Sequence, residues 1–274
     1  MKSKTAVALL TLSAWVGGNC CSARRLTWTS TAPSLPKGWA KVGRPGDRHP
    51  GLWDVRDWKV SLQGQVLKIQ DYQPPAVRCK FPFRIKSATP DDGIYGDCVY
   101  ERVNDGWLVG YNAGEFGGSL WWVSADGRRS TRLSRENVVA FAELSTEKLV
   151  LVGLSHLGGH RGKVLKIGGP TPSGWKVKTL VDLKAAPRAV LKESPSSLLL
   201  LTEESLFRIG KTEGLRRRWK GTRFIWYTKS MVRTQTRIIF IGTRHFVIKL
   251  TPTQGGFREE WFEPPKWAHQ ISGP

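Results

Sequence analysis

His156 and His160 stand four residues apart, the spacing that on a helix turns two imidazoles to one face and begins a zinc site. Between them lie Leu157, Gly158 and Gly159, which favour a turn over a helix. No metal is expected there, and no cofactor elsewhere. The stretch Gly158-Gly159-His160-Arg161-Gly162-Lys163 has the glycines and cations of an anion nest, but strands are expected on both sides of it, not a helix. No His-Glu-x-x-His, no Gly-x-Ser-x-Gly and no glycine-rich phosphate loop ending in Lys-Ser or Lys-Thr occurs. Three pairs of neighbouring acids remain: Asp91-Asp92, Glu203-Glu204 and Glu259-Glu260. General acid–base chemistry needs carboxylates converging from different elements. Acids adjacent in sequence read as solvated turns.

Charge is the global signal. The chain has 274 residues with 43 Lys and Arg against 22 Asp and Glu, a net +21, and 40% of it is apolar. That apolar content excludes a disordered chain. The surplus creates a positive field that favours acidic partners. It concentrates in Lys163, Lys166, Lys176 and Lys178, then in Arg216, Arg217, Arg218 and Lys220 around Trp219, and in Arg223 beside Phe224 and Trp226. Cations interleaved with aromatics can hold an anionic polymer. Charge on an outermost strand also blocks sheet-to-sheet pairing, which accounts for the Arg triplet itself.

The compartment narrows the partner. Lys2 and Lys4, the apolar stretch 6–16 and Cys21-Ser22-Ala23, with small residues at −3 and −1 of a cleavage site, read as a secretory signal over residues 1–23. A lipid anchor is disfavoured because Asn19, and not a small residue, precedes Cys20. Removing two lysines leaves 41 cations against 22 anions, a surplus of 19. Cys79 and Cys98 are then the remaining cysteines and are expected to pair, closing a loop of about 20 residues worth about 3 kcal/mol. No later run is long and apolar enough to cross a membrane as a helix. A periplasmic or secreted protein is expected. Its partner is an acidic protein or an anionic envelope polymer, with no intracellular nucleic acid.

The elements that position these residues repeat. Val66-Leu67-Lys68-Ile69, Leu120-Trp121-Trp122-Val123, Val164-Leu165-Lys166-Ile167, Leu206-Phe207-Arg208-Ile209 and Val247-Ile248-Lys249-Leu250 share one pattern, at spacings of 54, 44, 42 and 41. A second apolar run ending in a small residue precedes each: Trp58-Lys59-Val60-Ser61, weakest of the five, then runs ending at Gly110, Gly153, Thr202 and Gly242. First-strand candidates lie ahead of the last four, at 97–102, 138–143, 189–192 and 224–228, and a polar strand follows each copy. Four strands per unit at a period near 44 resemble the blades of a β-propeller. The expected fold is all-β, a propeller of five blades over residues 51–264, with room for a sixth around Phe83-Arg84-Ile85. A β-sandwich or barrel of similar hairpins is the competing architecture. Ser124-Ala125-Asp126-Gly127 is faintly similar to the aspartate boxes of sialidase-type propellers, but an Asp-Gly hairpin turn explains it. Residues 24–50 read as an extended arm and 265–274 as a tail. Either the arm or Trp261-Phe262 is expected to help close the ring.

The connections between second and third strands differ in length. Those at 110–120 and 153–164 are long and glycine-rich, and the other three are short. Long loops on a rigid scaffold carry function. Tyr111, Asn112, Glu115 and Phe116, with His156, His160 and Arg161, are therefore the expected partner-binding residues. With no catalytic constellation, the leading expectation is a non-enzymatic exported protein that engages an acidic macromolecule, first of all a protein, in the manner of an inhibitor or immunity protein. The alternative is an extracytoplasmic hydrolase or lyase acting on polysaccharide. Two or more acids, or a His–acid pair, converging within hydrogen-bond reach at one mouth of the ring is the feature that would raise it above the first.

Overall fold

The computed structural model describes residues 33–44, 56–73, 79–85, 93–156, 159–171, 174–221 and 228–264. The proposed signal at 1–23, Arg223, most of the stretch expected as a first strand at 224–228, and the tail lie outside them. The described residues are all-β. Sheet I pairs β2 (Trp58–Gln63) with β3 (Val66–Asp71). Sheet II is a meander of β4 (Asp97–Val103), β5 (Gly106–Asn112), β6 (Gly118–Ser124) and β7 (Ser130–Ser134). Sheet III continues with β8 (Val138–Leu144), β9 (Glu147–His156), β10 (Gly159–Thr171) and β11 (Gly174–Asp182). Sheet IV has β12 (Pro187–Ser194), β13 (Ser197–Thr202), β14 (Ser205–Gly210) and β15 (Gly214–Lys220). Sheet V has β16 (Ser230–Arg233), β17 (Ile239–Gly242), β18 (Val247–Pro252) and β19 (Phe257–Glu263). The arm adds β1 (Ala40–Val42) to β19 as a fifth, outermost strand, covering an edge that would otherwise offer unpaired backbone.

Successive sheets pack face to face because their central strands are apolar on both sides. Leu108 and Leu120 of sheet II meet Val150, Val152 and Leu165 of sheet III. The alternate residues Leu149 and Leu151 meet Leu198 and Leu200 of sheet IV. Leu199 and Leu201 then meet Ile239 and Ile241 of sheet V, and Phe240 and Val247 meet Trp58 and Val60 of sheet I. Each fully buried aliphatic side chain contributes about 1.5–3 kcal/mol. The sheets thus follow the order II, III, IV, V, I, an arrangement compatible with a propeller-like fold. The remaining face of sheet II, with Val109, Tyr111, Trp121 and Val123, is covered by Phe81, Ile85 and Ile94. The disulfide between Cys79 and Cys98 ties that covering segment to β4. Phe83-Arg84-Ile85 forms no strand, so the sixth unit considered for it is not built by these residues.

The glycine that closes the apolar run in three of the second strands has a steric cause. A Cβ on Gly110 would lie 2.3 Å from Val138 Cγ1, on Gly153 2.5 Å from Pro187 Cδ, and on Gly242 2.2 Å from the Trp58 carbonyl oxygen. Val138 and Pro187 open the first strands of sheets III and IV. Trp58 therefore opens a first strand too. This corrects the assignment of Trp58-Lys59-Val60-Ser61 as a second run and of Val66-Leu67-Lys68-Ile69 as a third strand. The odd 54-residue spacing arises because that copy sits one strand earlier in its sheet than the other four, which lie on β6, β10, β14 and β18.

Candidate functional site

The two long connections are mostly strand. β5 runs on to Asn112, a single 3-10 turn spans Gly114–Phe116, and β6 starts at Gly118. In sheet III the ladder continues through Leu154–Arg161, Ser155–His160 and His156–Gly159 pairs. The expected open loops are thus extended hairpin arms, because backbone pairing satisfies these amides better than a solvated loop. Tyr111, Asn112, His156, His160 and Arg161 sit on strands.

Tyr111 is corrected as a contact residue. It is 6% exposed, faces the covering segment beside Ile85, and cannot be offered to a partner. Burial pushes its phenol above the usual tyrosine value. Asn112 shapes the turn: its Oδ1 accepts from the Gly114 N–H at 3.0 Å and from Asn137 Nδ2 at 3.1 Å. Asn137, 1% exposed and immediately before β8, also donates to the carbonyls of Gly114 at 2.7 Å and Gly117 at 2.8 Å. One buried side chain of sheet III therefore clamps the turn of sheet II, and β9 lies against that turn. The two enlarged connections are neighbours at one rim. Glu115 and Phe116 are exposed there, Phe116 at 71%. The hydroxyl of the half-exposed Tyr95 donates to the Phe116 carbonyl and fixes it from the other side.

Across sheet III, Arg161 is exposed and the His156 backbone lies at the hairpin end. Lys163 pairs with Glu136 at 2.6 Å. His160 faces inward: its Nδ1 lies 2.8 Å from Glu203 Oε2 and 3.3 Å from Ser155 Oγ. Glu203 is 1% exposed, and its Oε1 takes the guanidinium of Arg188 on β12. The expectation that Glu203-Glu204 is simply a solvated turn is overturned for Glu203. Burial of a carboxylate is tolerated because two cationic or hydrogen-bonding partners surround it. A His–acid pair is thus present. The pair, with Arg188 on the other carboxylate oxygen, ties β10 to sheet IV. Glu259 is no free surface acid either, since Trp219 Nε1 donates to it at 2.7 Å and Arg44 pairs with it at 2.9 Å.

Arg216, Arg217, Arg218 and Lys220 are exposed on β15, with Trp219 buried beneath them. Among the described residues no group of three His, Cys, Asp or Glu comes together as a metal site, and no helix is long and apolar enough to cross a membrane. Sequence reasoning missed Tyr95, Asn137 and Glu203. An Asn standing just before a first strand was the only local sign for Asn137. Tyr95 owes its place to a contact within sheet II, and Glu203 to one between sheets III and IV. No protein-family model and no curated protein matches the chain.

Proposed function

We propose that this protein is an exported, non-enzymatic β-propeller of five blades that holds an acidic protein partner against the rim of sheets II and III. The observation that carries the reading is the clamped turn at Gly114–Phe116, which holds Phe116 71% exposed next to the Arg161 hairpin. A rigid aromatic anchor beside a cation is the composition of an interface hot spot. Its geometry is set before binding, which lowers the ordering cost. The positive surplus of the chain selects acidic partners and speeds their encounter. The disulfide accords with an oxidising compartment. Affinity capture from envelope extract tests this. Wild type should retain an acidic protein at low salt and release it at high salt, and the Phe116→Ser/Arg161→Glu variant should retain none. Retention by that variant, or indifference to salt, overturns the reading.

The second reading, a hydrolase or lyase acting on polysaccharide, is favoured by the His160–Glu203 pair alone. Cleavage of an envelope polysaccharide by wild type, abolished in His160→Ala while its melting temperature is kept, would establish it.

A further inference from the structure

Between sheets IV and V the apolar filling stops short of one end. Leu199, Leu201 and Leu206 meet Ile239, Ile241 and Leu250 through most of the interface. Toward the end that carries the β12–β13, β16–β17 and β18–β19 turns, facing positions become arginine and a cavity of about 420 Å³ opens. Its wall carries Arg208, Arg218, Arg233 and Arg237, with Glu193 the one acid among the lining residues. This end is opposite to the connections that form the rim described above, and it shares no residue with that rim.

Two of the four guanidinium groups are paired. Arg208 Nε donates to Glu193 Oε2 at 2.6 Å and its Nη1 pairs with Glu213. Arg233 Nη2 lies 3.8 Å from Glu193 Oε1. Arg218 and Arg237 have no side-chain ion pair among the described residues. Four cations against two carboxylates leave two positive charges at the cavity. Elsewhere along the same end of the sheets the ion pairs balance: Lys148 and Lys192 share Glu101 and Glu143, and Lys166 pairs with Glu147.

Backbone irregularities hold both unpaired arginines. In the β14–β15 ladder, Leu206 opposes Trp219 while Phe207 opposes Arg217. Arg218 is therefore the extra residue of a bulge, a device that turns a side chain off the ladder. Arg237 has φ +65°, in the left-handed region that side-chain-bearing residues rarely adopt. The Arg218 bulge recurs at Leu133 of β7 and Leu180 of β11, so the repeat itself supplies the geometry, and in sheet IV it places a cation on the cavity wall.

We propose that this cavity binds a ligand presenting two negative charges on phosphate or sulfate ester oxygens, either one phosphate monoester dianion of a phosphorylated small molecule or two monoanionic sulfate esters of a sulfated sugar. Guanidinium forks match the oxygens of such groups. A dianion balances the two surplus charges, whereas a single carboxylate balances one. Leu199, Pro252 and Phe257 on the same wall supply apolar surface for the carbon skeleton. The volume lies within the roughly 300–1,000 Å³ of small-molecule pockets.

Titration calorimetry on the full chain tests the proposal, with inorganic pyrophosphate and a trisulfated heparin disaccharide as probes. Wild type should bind at least one, and the tighter of the two assigns the source. Arg218→Gln/Arg237→Gln should lose at least about tenfold in affinity, because two charge-assisted contacts are removed. Arg216→Gln, exposed on the same strand and off the cavity wall, should stay within about twofold. Equal melting temperatures confirm that the fold is kept; if the double variant folds poorly, Arg218→Gln alone is read the same way. Absence of binding by both probes, or an equal loss in Arg216→Gln, overturns the site. Neither result bears on partner capture at the opposite rim.

Discussion

Glu203 ties sheet III to sheet IV through a buried carboxylate. Its carboxylate is 1% exposed and is shared between Arg188 and His160. Glu203→Ala leaves an imidazole and a guanidinium together without their anion, and breaking a buried pair in this way costs about 3 kcal/mol. A lower melting temperature in the variant, partly restored in Glu203→Gln, is the expected outcome; unchanged melting would show that the tie is idle. Little of this was legible in the chain. The Cys79–Cys98 pair could be read because, once export is expected, two cysteines have few choices. Glu203 could not, because its burial depends on a His 43 positions away on another sheet. Tyr111 looked like a loop aromatic because the residues that cover it, Phe81 and Ile85, lie in a segment with no periodicity.

At the scale of elements, the recurring apolar quartets were readable as strands, since alternate residues of a sandwiched strand are all apolar. What the quartets could not show was their position within a sheet. Sheet I begins at Trp58 with a first strand, and its quartet therefore falls on the second. Gly242 carries that geometry: any Cβ there meets the Trp58 carbonyl oxygen at 2.2 Å. Gly242→Val should therefore push β2 away from sheet V and destabilise the protein by about 3 kcal/mol. Gly255→Val is the control, since nothing lies within 4 Å of its Cβ position. Equal denaturant midpoints for the two variants would contradict the assignment of β2. The length of the β9–β10 hairpin was misread for a related reason. Glycine at 158, 159 and 162 suggests a loop, yet a ladder accepts glycine wherever a neighbouring backbone approaches closely, as Ala185 does at Gly162.

At the scale of the whole molecule, the chain separates two surfaces of different character. One rim, on sheets II and III, is preorganised by Asn137 and Tyr95 around an exposed Phe116. The opposite end, between sheets IV and V, concentrates arginine around a cavity. The overall basic balance serves both by drawing anions toward the protein. The composition made that balance plain but could not say where it would act, because placement depends on which sheets become neighbours. Amide hydrogen exchange on the captured complex tests the central claim, that the first of these surfaces holds the acidic partner. The account predicts slowed exchange on partner addition at residues 113–117 and 159–161, with β15 unchanged. Protection confined to β15 and the turns of sheets IV and V, or none at all, would contradict it.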